Sequence, residues 1–91
     1  MAGKRLQGRA TSRQGRNAPH PVDIHVGSRL RQRRTALGIG QKKLAAALGI
    51  AYQQLSKYEQ AIDRVSASRL YELSKVLGVP VTFFFEGMAD E

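Results

Sequence analysis

Ninety-one residues, 42% hydrophobic and 24% charged, make room for one small domain. Fifteen Lys and Arg against seven Asp and Glu leave a formal net charge of +8, and there is no cysteine. A disulfide framework, a thiolate metal site and a membrane-spanning helix are thereby excluded, since no run of roughly 18 apolar residues exists.

The N-terminus is basic but has no apolar run behind it, which argues against a secretory signal. Absence of cysteine fits a reducing cytoplasm. The charge is unevenly placed. Residues 1–20 hold Lys4, Arg5, Arg9, Arg13 and Arg16 and no acid. Residues 21–60 hold Arg29, Arg31, Arg33, Arg34, Lys42, Lys43 and Lys57 against Asp23 and Glu59, whereas residues 61–91 are net acidic. A basic front half joined to an acidic end points to one face meant for a polyanion.

Residues 1–19 are rich in Gly, Arg, Gln, Ser and Thr, with Leu6 the one large apolar residue after Met1. Such a stretch buries too little to offset chain entropy and is predicted to be a disordered basic arm. It serves either as an inert leader or as a contact to phosphates. Residues 20–88 are predicted to form the domain, and 89–91 a tail.

From Pro19 the apolar residues fall at helical spacing. Val26, Leu30 and Leu37 lie within about 40° of one another on a helical wheel and predict an inward stripe, ended by Gly38. His20 and His25 bracket Pro21–Asp23; they are either two solvent-facing histidines or half of a metal site, and the former is favoured. A short helix follows over Gln41–Leu48, with Leu44, Ala45 and Leu48 inward and Gly49 as its stop. A third begins near Tyr52, its core side formed by Leu55, Tyr58, Glu59 and Ile62. A fourth runs from the N-cap Ser66 to Leu77 and closes at Gly78. Pro80 suits the first turn of a fifth, in which Phe83, Phe84 and Phe85 close the core. No segment sustains two-residue alternation, so the fold class is all-α, five short helices.

Two short helices joined through Leu48-Gly49-Ile50 have the form of a helix-turn-helix, whose second helix enters a DNA major groove. On the third helix Gln53, Lys57 and Gln60 lie at about 160°, 200° and 140° from Leu55, opposite the core side. Glutamine pairs with adenine N6 and N7, and lysine reaches guanine O6 and N7. Alone, that face would better suit a plain solvated surface. The glycine turn and the basic balance favour nucleic acid.

The whole of Val26–Gly87 resembles the DNA-binding domain of the Xre/Cro family, of the lambda-repressor type. The resemblance rests on G-x-R-L-R at Gly27–Arg31, L-G-I-x-Q at Leu37–Gln41, and L-A-x-x-L-G-I at Leu44–Ile50. It continues with L-S-x-x-E at Leu55–Glu59 and L-G-V-P-x-x-x-F-F at Leu77–Phe85. It implies that Tyr52, Gln53, Gln54 and Lys57 read bases. It also implies that Gln41, Lys42, Lys43, Arg34 and Arg64 lie near phosphates, and that Arg34 and Glu59 form an ion pair fixing the third helix to the first. Three positions depart from the family pattern. Gly40 and Ala51 replace polar N-caps, and Ala61 replaces the usual Gly, so the third helix is expected to run a turn longer, towards Asp63.

The implied function is sequence-specific double-stranded DNA binding by a transcriptional regulator, most often a repressor, acting as a homodimer on a palindromic operator. No catalysis, metal or cofactor is expected. Phe83–Phe85 and the tail after Gly87 offer a dimer surface or merely close the core. The alternative is an antitoxin or adaptor whose main partner is a protein. Non-specific coating of nucleic acid is a weaker reading, because Tyr52 is the one aromatic placed for stacking.

Overall fold

The computed structural model describes residues 18–88. The predicted basic arm therefore lies, apart from Ala18 and Pro19, outside the described residues, as does the tail 89–91. Four helices and a 3-10 helix follow in order: α1 (Pro21–Ala36), α2 (Gln41–Leu48), α3 (Tyr52–Glu59), α4 (Ala67–Leu77) and the 3-10 helix Val81–Phe85. No strand occurs among the described residues.

Most boundaries have a local cause. The imidazole Nδ1 of His20 accepts from the Val22 amide at 3.0 Å and caps α1, whose first turn begins with Pro21. His25 faces the other end of the domain, its Nε2 2.7 Å from the Glu86 carbonyl oxygen. Ser66 Oγ accepts from the Arg69 amide at 3.1 Å and caps α4. Gly40 and Ala51, which begin α2 and α3, make no side-chain cap.

All four α-helices end alike. Gly38, Gly49, Ala61 and Gly78 take φ of 71°, 72°, 60° and 68°, in the left-handed region, and each is followed by Ile or Val. At α2, Gly49 N–H donates to Ala46 and Ile50 N–H to Ala45, at 3.1 and 3.0 Å. At α3, Ala61 N–H donates to Tyr58 and Ile62 N–H to Lys57, at 3.1 and 2.8 Å. This is the Schellman arrangement, which satisfies carbonyls the helix leaves open.

The core joins Val26 and Leu30 of α1, Leu44 and Ala45 of α2, and Leu55 and Tyr58 of α3 to Leu70, Leu73 and Leu77 of α4. Phe84 closes it. Gly27 lets α1 approach α3 closely: a Cβ there would stand 2.6 Å from the Tyr58 carbonyl oxygen and 2.7 Å from that of Glu59.

Several expectations need correction. Leu37 is the C-cap of α1 and 44% exposed, because the chain leaves the helix before that residue can turn inward. The third helix does not run on. Ala61 accepts the left-handed conformation despite its Cβ, α3 stops at Glu59, and Ile62 is 62% exposed, not inward. The fifth element is a 3-10 helix that starts after Pro80. Of its three phenylalanines only Phe84 is fully buried; Phe83 is half-buried beneath Arg29, and Phe85 is 40% exposed.

Candidate nucleic-acid interface

Helices α2 and α3 pack together across the three-residue turn Gly49–Ala51. The inner side of α3 is fixed by Leu55 and Tyr58 in the core and by Glu59, whose side chain is 3% exposed. Gln53 and Lys57 are consequently held on the outer side, both exposed. Tyr52, at the first residue of α3, is exposed as well. Lys42 of α2 places its ammonium 5.1 Å from the Tyr52 ring centroid, so the two side chains form one cation–π unit bridging the helices. Lys43 is exposed beside it. Gln60 is also exposed, with Nε2 donating to Ser56 Oγ at 2.8 Å.

Beneath this surface lies a polar network. Arg34 Nε and Nη2 donate to Oε2 and Oε1 of Glu59 at 2.6 and 3.0 Å, and Arg34 Nη1 donates to the Ile39 carbonyl at 3.0 Å. Gln41 Nε2 donates to the same Glu59 Oε1 at 3.0 Å. The Arg34–Glu59 pair therefore ties together α1, the loop before α2, the first residue of α2, and α3. The hydrogen bond to Glu59 holds the Arg34 guanidinium above its ordinary range, against the opposing pull of burial. Arg34 is thus a buried strut, with Gln41 held above it at the head of α2.

Two further residues named from the sequence have protein partners. Gln54 is half-buried and its Nε2 donates to Asp63 Oδ2 at 3.0 Å. Arg64 Nε donates to Asp23 Oδ2 of α1 at 2.9 Å while most of its side chain remains at the surface.

Sequence reasoning did not foresee either acid's role, since nothing in the local pattern couples positions 23 and 64. It also counted as free charge two arginines that the fold consumes. Arg29 stacks on the Phe83 ring at 3.8 Å, donates to the Phe83 carbonyl at 2.9 Å and pairs with Glu86 at 3.1 Å. Arg33 Nε donates to the Leu77 carbonyl at 2.9 Å, closing the C-terminal end of α4. The basic residues of 21–60 left at the open surface are Arg31, Lys42, Lys43 and Lys57. A proximity of such residues to apolar stripes, as Arg33 and Arg34 have on α1, was the available signal that they would be used internally.

No group of three His, Cys, Asp or Glu placed to hold a metal occurs among the described residues. No helix there is long and apolar enough to cross a membrane.

A helix-turn-helix family model matches residues 30–84. An HTH-type transcriptional regulator from Sinorhizobium medicae (strain WSM419) is 56% identical over 73 residues, covering 80% of this chain and 52% of that protein. A transcriptional regulator in the ATPase CF(0) region of Rhodospirillum rubrum is 52% identical over 69 residues, covering 76% of this chain and 64% of that one. The chain thus spans between half and two-thirds of the length of these curated relatives. Among solved structures, the clp gene regulator ClgR from C. glutamicum aligns with a TM-score of 0.70 at 25% identity, covering 79% of this chain and 99% of that one. The restriction-modification controller protein C.AhdI from Aeromonas hydrophila aligns with a TM-score of 0.65 at 29% identity, covering 68% and 94%.

Proposed function

The chain belongs to the Xre-like helix-turn-helix family, and from that premise we propose that it is a sequence-specific double-stranded DNA-binding protein that regulates transcription, as a repressor. Helix α3 enters the major groove, with Tyr52, Gln53, Gln54 and Lys57 towards base edges. Gln41, Lys42 and Lys43 meet phosphates from the head of α2, and the outer nitrogens of Arg64 meet one from the loop after α3. Arg34 acts beneath them through Glu59. Regulation of this kind involves no catalysis and no cofactor, and a DNA partner fits a cytoplasmic protein.

The observation that carries this reading is the division of α3 into two faces. Leu55, Tyr58 and Glu59 are locked into protein, and Gln53 and Lys57 are offered to solvent one turn apart. One such helix covers only a few base pairs, so two copies bind a palindrome with half-sites about 34 Å apart. Of the three phenylalanines, Phe85 is the exposed one and is available for the contact between copies.

Selection from random duplex pools at several salt concentrations tests the proposal. Recovery of a palindrome supports it. Equal affinity for every sequence, with only a steep salt dependence, overturns it in favour of general polyanion binding.

A further inference from the structure

Gln54 stands at the third residue of α3, on the flank of its outward face, about 60° from Lys57 around the helix. Its partner Asp63 belongs to the loop behind. There the left-handed turn at Ala61 folds the chain back, and the amides of Ile62 and Asp63 both donate to the Lys57 carbonyl, at 2.8 and 3.2 Å. The Asp63 carboxylate thereby comes within 3.0 Å of Gln54 Nε2.

An ionised carboxylate can only accept, so the Gln54 amide has one orientation open to it: nitrogen towards Asp63, oxygen away. Oε1 has no hydrogen-bond partner among the described residues, and no buried side-chain nitrogen or oxygen there lacks one. Oε1 therefore faces solvent.

We propose that Asp63 is a specificity-determining positioning residue, which fixes Gln54 with its carbonyl oxygen towards the base edges. The inference rests on the reading of α3 as the base-reading helix. A freely rotating glutamine accepts from adenine N6 while donating to N7, or turns and donates to guanine. Held by Asp63, Gln54 leads with an acceptor. Adenine N6 and cytosine N4 satisfy it; guanine O6 and thymine O4 repel it. Gln54 accordingly selects A or C over G or T at one position of each half-site. Asp63 itself touches no base, and its negative charge weakens binding to every duplex alike.

The test is duplex selection, followed by titration of matched operators, with the full chain, Asp63→Asn, Asp63→Ala and Gln54→Ala. Asparagine removes the charge and brings an amide donor as well as an acceptor, so Gln54 can turn over and accept from it instead. Asp63→Asn is expected to bind all duplexes more tightly and to admit G or T beside A or C at that position. Alanine removes the acceptor. Asp63→Ala and Gln54→Ala are expected to flatten the same single position, from a discrimination on the order of tenfold to near unity. An unchanged preference in Asp63→Ala or in Asp63→Asn overturns the role of Asp63 and leaves base reading by α3 standing. Absence of any preferred sequence for the unmutated chain overturns both.

Discussion

Arg34 on α1 and Glu59 on α3 meet through two parallel hydrogen bonds of 2.6 and 3.0 Å, with side chains only 11% and 3% exposed. The pair crosses the interface that Gly27 opens between the same two helices, and its carboxylate also holds Gln41. A single side chain thus links the candidate reading helix to the head of α2.

Glu59→Ala would leave the Arg34 guanidinium buried without its counter-ion. Breaking one partner of such a pair costs about 3–5 kcal/mol, a large share of the stability of a domain this small. Thermal melting should shift down by well over ten degrees, and DNA affinity should fall with it. A melting curve unchanged from that of the parent would refute the structural assignment.

The same pair has a defined pH behaviour. Because the folded state raises the Arg34 pKa, its contribution is fully present below the ordinary guanidinium range and is lost only as pH rises through the folded value. The stability difference between the parent and Glu59→Ala should therefore stay constant between about pH 7 and pH 9. Denaturant titrations across that window measure it; a difference that shrinks steadily over it would contradict the sign.

Gly27→Ala places a methyl 2.6 and 2.7 Å from two backbone carbonyl oxygens of α3, which cannot rotate away. The helices must separate. Overpacking of this kind costs about 1–3 kcal/mol, measurable as a lower urea midpoint, and it should also weaken DNA binding by shifting α3 against α2.

Ala61 holds φ of 60° while buried, a conformation that a β-branched side chain adopts only under strain. Ala61→Val is expected to lose about 2 kcal/mol of stability through that strain and through crowding. Equal stability of the two chains in denaturant would show that the turn can be rebuilt with an ordinary backbone.

Lys57→Ala should leave the melting temperature within about a degree of the parent, since the side chain is exposed. If Lys57 reads a base, operator affinity drops by about 1–3 kcal/mol and one position of the recovered site becomes degenerate. A uniform loss across all sequences, with the salt slope smaller by about one, would reassign it to a phosphate. Removing residues 1–17 is the companion measurement: the arm carries five bases, and its deletion should flatten the salt dependence if they meet phosphates.

The sequence by itself determined the parts whose causes are local. Gly49 and Gly78 end helices because a residue without Cβ enters the left-handed turn at no cost, and Ser66 begins one because its hydroxyl satisfies an open amide. The two faces of α3 follow from a period of 3.6 residues, and the fold class and the bulk of the core were legible in the same way. Tertiary structure alone decided what depends on residues far apart in the chain. Packing of α3 against α1 makes Ala61 take a turn that its own preference opposes, and this exposes Ile62 and carries Asp63 to Gln54. It also decided that Arg29 and Arg33 are spent on carbonyls, a ring and a carboxylate within the domain, since a charge count sees no partners. The net charge of +8 named a polyanion as the partner; only the packed helices separate the side chains free to meet it from those that hold the molecule together.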